Sequence, residues 1–115
     1  MASKVVAVLE DLMFTVKIAD AAKRAGVTVV FVKTGDDAVR RAGGAAAIIL
    51  DLNHVPADLI ARLKASENTR AIPLIGYVSH VQSDMIRQAR ESGCDTVLAR
   101  SAFVQKLHEL MADFV

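Results

Sequence analysis

Ala46-Ala47-Ile48-Ile49-Leu50-Asp51 is a short, unbroken apolar run that ends on a carboxylate. Apolar and polar residues do not alternate in it, so it suits a strand covered on both faces, as in a parallel sheet. Three further runs have the same character: Val5–Leu9, Val27–Val32 and Leu74–Val78. A fifth, weaker one is Thr96–Ala99.

The segments between these runs carry helical spacing. Phe14 to Ala25 places Val16, Ile18, Ala19 and Ala22 on an inner face and Lys17, Asp20, Lys23 and Arg24 outside, with Gly26 as the stop. Thr34 and Asp37 have the spacing of a capping box before a second helix, which Gly43-Gly44 ends. A third begins near Ala57, with Pro56 in its first turn, and runs through Leu59, Ile60 and Leu63. Ser83 to Glu91 turns Met85, Ile86 and Ala89 inward and closes at Gly93. Ser101 caps the last helix, in which Phe103, Leu107, Leu110 and Met111 share a side. Strand–helix repeated five times predicts an α/β domain, a flavodoxin-like (βα)5 three-layer sandwich. Its five-stranded parallel sheet takes the order 2-1-3-4-5.

At 115 residues the chain can close one core without staples, and residues 1–115 are read as a single free-standing domain. The net charge is +1 with acids and bases interspersed, and no basic stripe or aromatic platform suggests nucleic acid. One cysteine, Cys94, excludes an internal disulfide and most zinc sites, so a cytoplasmic address is expected. Glu10 and Asp11 interrupt the first apolar run too early for a signal peptide. No run approaches the roughly 18–20 residues of a membrane span.

In a sheet of this order, ligands collect at the carboxyl ends of the strands. Glu10 and Asp11 follow the first strand, Asp51 the third, Ser79 and His80 the fourth, and Arg100-Ser101 the fifth. Crowded carboxylates need a compensating charge. A hard divalent cation such as Mg²⁺ supplies it, or Arg100 pairs with a carboxylate and no metal is needed. His54 and His80 lie on the same rim without metal-ligand spacing, and His108 is expected at the surface. Glu10-Asp11-Leu12 stands where a glycine-rich phosphate loop would be, and no Gly-x-Ser-x-Gly elbow exists. The chain does not read as an enzyme.

With these residues in place, the chain resembles the receiver domains of the response-regulator (CheY-like) family over about Lys4 to Leu110. The resemblance is carried by Val6-Ala7-Val8-Leu9-Glu10-Asp11, by Ala47-Ile48-Ile49-Leu50-Asp51-Leu52, by Pro73-Leu74-Ile75 and by Gly93-Cys94-Asp95. It implies Asp51 as phosphoacceptor, Mg²⁺ held by Glu10, Asp11 and Asp51, and a histidine kinase or downstream signalling protein as partner. It also implies a partner face formed by the fourth helix, fifth strand and fifth helix, where Gln82, Arg87, Arg90, Gln105 and Lys106 would lie, and a homodimer through the last helix face.

The departures from the family pattern are equally specific. The hydroxyl position falls on Val78, unless the fourth strand shifts by one residue and brings in Ser79. The aromatic switch position falls on Val97, and the Lys-Pro pair becomes Arg100-Ser101. Valine cannot hydrogen-bond a phosphoryl group, and arginine is a planar fork rather than a point charge. Asp51 to Pro56 is one residue longer than usual, which predicts an altered loop at Asn53-His54-Val55. The expected protein is a stand-alone receiver-like module acting by protein contact: either Asp51 takes a phosphoryl group from a histidine kinase, or the module is a pseudo-receiver whose binding is constitutive. The alternative is a flavodoxin-like domain that binds a small ligand or metal at its strand ends, with Arg100 as an anion contact.

Overall fold

The computed structural model describes residues 3–79 and 83–114; His80 and Gln82 lie outside them. Strands β1 (Lys4–Val8), β2 (Thr28–Val32), β3 (Ala47–Asp51), β4 (Leu74–Val78) and β5 (Thr96–Ala99) alternate with helices α1 (Leu12–Ala25), α2 (Gly35–Arg41), α3 (Leu59–Ala65), α4 (Ser83–Ser92) and α5 (Arg100–Ala112). The strands form one sheet in the order β2-β1-β3-β4-β5, and every pairing is parallel. This is the expected α/β flavodoxin-like order.

The continuous runs divide by alternation between two apolar layers. Val6, Val8, Ile48, Leu50, Leu74, Val78 and Val97 pack on α2, α3 and α4 through Ala38, Leu59, Leu63 and Ala89. Val5, Ala7, Ile49, Ile75 and Tyr77 pack on α1 and α5 through Phe14, Ile18, Phe103, Leu107 and Met111. A strand buried on both faces has no polar side to show, which is why its sequence does not alternate.

Helix boundaries and faces need four corrections. α1 begins at Leu12, two residues earlier than its apolar spacing suggested, because Asp11 caps it. Its buried residues are Phe14, Ile18, Ala21 and Ala22, whereas Val16 and Ala19 are exposed. Pro56 lies in the turn before α3, which starts only at Leu59. Ser101 is inside α5, whose N-cap position is Ala99 and has no side-chain cap. Thr34 does cap α2, its Oγ1 accepting from the Asp37 amide at 3.1 Å. Gly26 ends α1 at φ +79°, a left-handed conformation open to glycine at little cost.

Among the described residues, no helix is long and apolar enough to cross a membrane.

Candidate functional site: an acid pocket closed by an arginine

The turn from β1 into α1 is built on Asp11. Its backbone is extended (φ −63°, ψ 115°), its Oδ1 accepts from the Phe14 amide at 3.1 Å, and its carbonyl accepts from the Thr15 amide and hydroxyl, each at 2.9 Å. A carboxylate here satisfies an orphan amide and faces the positive end of the helix. Its Oδ2 is taken by the Arg100 guanidinium in an ion pair. The Phe14 amide above all, and then Arg100, hold the Asp11 carboxyl below the usual aspartate range. Glu10, the neighbouring acid, is exposed.

Arg100 reaches this position because α5 begins on it directly after β5. Its guanidinium carbon also lies 4.0 Å from the centre of the Phe14 ring, a cation–π contact. Phe14 belongs to an aromatic trio, with Tyr77 at 4.9 Å and Phe103 at 6.1 Å, while Tyr77 and Phe103 stack at 4.7 Å. One arginine therefore joins the acid end of β1, the first turn of α1 and the aromatic layer under α5.

Asp51 is the last residue of β3, half-buried, and pairs across the sheet with Tyr77. Its Oδ1 accepts from the Asn53 amide at 3.0 Å, and its carbonyl accepts from the amides of His54 and Val55, both at 3.0 Å. This side-chain turn shapes the loop at Asn53-His54-Val55. The loop is pinned at both sides. The Asn53 Oδ1 accepts from the Ser79 amide (2.7 Å) and hydroxyl (3.0 Å), and the half-buried His54 ring meets the Lys33 carbonyl at 2.7 Å.

Tyr77 is almost wholly buried, and among the described residues its hydroxyl has no hydrogen-bond partner. Burial, and after it the negative charge of Asp51, push its ionisation above the usual tyrosine range. Tyr77 pairs across the sheet with Asp51, at the acid end of β3. Val78, the next residue, faces the opposite layer and is fully buried there. The hydroxyl at this end of β4 is that of Ser79, which is exposed and turned to Asn53. Val97 lies in the same apolar layer as Val78. Cys94 is buried, its Sγ directed at the Leu74 and Thr96 carbonyls, and burial raises its thiol.

By sequence, no family model and no curated protein matches the chain. By structure, it matches the receiver domain of a sensor histidine kinase from Pseudomonas aeruginosa, solved with a magnesium ion in its active site cleft. The TM-score is 0.84 at 20% identity, covering 99% of this chain and 98% of that one. The fold is that of a receiver domain. The chemotaxis response regulator CheY4 of Vibrio cholerae matches at TM-score 0.83 and 16% identity, covering 100% of both chains. The phosphorylated cyanobacterial phytochrome response regulator RcpA matches at 0.80 and 20%, covering 98% of this chain and 91% of that one.

On this receiver fold, the residues singled out from sequence come to the same sheet end, but not as three open carboxylates. Among the described residues, no three His, Cys, Asp or Glu side chains stand together to hold a metal ion. Magnesium keeps near-ideal octahedral geometry and needs carboxylate oxygens it can reach. Here each oxygen of Asp11 has one partner, a helix amide for one and a cation for the other, and each keeps a lone pair. The arginine–carboxylate pair is present, and a Mg²⁺ site is consistent with the solved receiver domain that holds magnesium in its cleft; Glu10, Asp11 and Asp51 would supply its carboxylate oxygens. Phe14 and Tyr77 were not legible as parts of the pocket. The Asp11-x-x-Phe14 cap had a visible signal, an aspartate directly before a helical run.

Proposed function

We propose that the chain is a receiver-like signalling module of two-component type, cytoplasmic and without enzymatic activity, which acts through protein contacts and lacks a working phospho-switch. The match to receiver domains over nearly the whole chain supports the signalling part of the reading. One observation carries the rest. Arg100, at the position of the receiver lysine, is already held by Asp11 and Phe14. A cation that must answer a phosphoryl group cannot be tied to a neighbouring carboxylate at no cost. Beyond it, the aromatic that would report the change is Val97, packed among aliphatic side chains.

The partner is a histidine kinase or another signalling protein. Among the described residues, the exposed large apolar side chains lie at the start of α1, on Leu12, Met13 and Val16, beside Asp11. The outward residues of α5 include Gln105, Lys106, His108 and Glu109, a polar set. Contact through α1 therefore has more apolar area behind it than a homodimer through α5.

Affinity capture from the native cells tests this reading, with wild type and Asp51→Asn compared by quantitative mass spectrometry. The same partners in the same amounts are expected from both. Partners lost from the Asp51→Asn sample would overturn contact signalling without phosphorylation.

The ligand-binding alternative has one observation in its favour. A cleft of 280 Å³ between the β3–α3 loop and α4 is lined by Leu52, Asn53, Val55, Ile60, Met85 and Gln88, among others. A ligand there would not meet Arg100, so the anion contact has no place in that version.

A further inference from the structure

We infer that the cleft between the β3–α3 loop and α4 is a binding site for an uncharged, ring-sized molecule with an apolar body and one amide-type group. The site goes beyond contact signalling and stands or falls without it.

The walls of the cleft come from three places. Leu52, Asn53 and Val55 belong to the loop after β3, Ile60 to α3, and Met85 and Gln88 to α4. Leu52 is held in place, because it lies so close on Gly76 that a Cβ there would stand 2.7 Å from its Cδ1. The rest of the loop is tied from outside the cleft. Asn53 Oδ1 accepts from the Ser79 amide and hydroxyl, and the His54 ring meets the Lys33 carbonyl. Asn53 Nδ2 also reaches Met85 Sδ at 3.9 Å, which joins the loop wall to α4. Walls fixed in this way need little ordering when a ligand arrives, and a preformed site keeps more of its contact energy as affinity.

The lining selects the ligand. None of the described residues that line the cleft is charged, although 23% of the chain is. An ion entering it would leave water and meet no counter-charge. Val55 and Met85 pack on the core while staying only partly buried, so apolar surface is left for an apolar body to cover. Gln88, which is exposed at the same cleft, has an amide that can both donate and accept. At 280 Å³ the cleft lies just under the roughly 300–1,000 Å³ of drug-sized pockets, room for one substituted ring and too little for a helix. Asp11, Asp51 and Arg100 are not among the lining residues, so the site is separate from the acid pocket.

Amide NMR titration of the wild-type protein with benzamide, benzoate and benzylammonium tests the inference. Benzamide should saturate, with a dissociation constant of roughly 1 mM, and move the amides of Leu52, Asn53, Val55, Ile60 and Gln88. The two charged probes have a similar size and should bind at least about tenfold more weakly. Gln88→Leu keeps an apolar wall without the polar group and should weaken benzamide about three- to tenfold. Ser92→Phe, at an exposed lining position, fills the cleft with its own ring and should remove the response; Gln88→Leu decides if that variant folds poorly. Failure of benzamide to saturate, equal affinity for the three probes, or benzamide affinity unchanged in Gln88→Leu would overturn the site. Shifts of the same amides on simple dilution of the wild-type protein would show a second copy seated in the cleft and would overturn it as well.

Discussion

Asp11 and Tyr77 show at the scale of single residues how the pocket is balanced. The Asp11 carboxyl sits below its usual value, so the folded protein binds fewer protons than the unfolded chain as pH falls past about 4. Its contribution to stability is therefore complete above that range and lost as pH drops through the lowered value. Asp11→Asn keeps a capping side chain but gives up the charge that pairs with Arg100. The variant should melt below wild type at neutral pH, and the gap should close as pH falls below about 4, followed by thermal denaturation. A constant gap would mean that the carboxylate charge contributes nothing. Tyr77 is the one tyrosine of a chain without tryptophan, so its titration can be read directly from phenolate absorbance. Burial disfavours the phenolate, and no absorbance step should appear near pH 10 before the protein unfolds. Because the buried hydroxyl lacks a partner among the described residues, Tyr77→Phe should raise stability, by about 1 kcal/mol in denaturant midpoints. A loss of that size would show that the hydroxyl is satisfied after all.

Among the elements, β4 is the most tightly specified. A Cβ on Gly76 would stand 2.7 Å from Leu52 Cδ1 and 2.9 Å from Leu52 Cγ, so the residue directly after Asp51 lies flat across this strand. Gly76→Ala should cost about 1–3 kcal/mol and displace the loop that carries Asn53. In a Leu52→Ala background the same change should cost less, because the clash is gone; additivity in that double-mutant cycle would contradict the contact. The strands were readable from sequence because each is buried on both faces, and unbroken runs such as Ala47–Leu50 leave few other interpretations. Helix edges were less readable. Asp11 extends α1 backward by capping it, and its inner face includes Phe14 and Ala21 because the first turn must cover Tyr77 and Phe103. Val16 looked like core and is exposed, since the buried face of α1 runs through Phe14, Ile18, Ala21 and Ala22 and Val16 lies off it. Pro56 marked a turn rather than a helix start because Asp51 and the amides of Asn53, His54 and Val55 first close their own turn.

For the whole molecule, the order 2-1-3-4-5 followed from five strand–helix repeats, and it places Asp11, Asp51 and Arg100 at one end of the sheet. That part of the pocket was legible because topology alone decides it. What the arginine does there was left between two readings, a metal among carboxylates or an ion pair. The choice depends on Phe14, Tyr77 and Phe103, which come from three elements and meet only in the folded protein. The two apolar layers then separate the functions. The layer beneath α1 and α5 anchors the charged pocket, and the layer beneath α2, α3 and α4 holds Val78 and Val97, where a relay would need polar or mobile groups. The account's central claim is that the pocket is uncoupled from the layer beneath α2, α3 and α4, which holds Val78 and Val97. Amide NMR of the wild-type protein, before and after Mg²⁺ and beryllofluoride, tests it most directly, with Asp51→Asn as control. The expected result is no shift, or shifts confined to the neighbourhood of Asp11, Asp51 and Asn53 and absent in the control. Shifts that spread through Val78 and Val97 to α4, and vanish in Asp51→Asn, would contradict it.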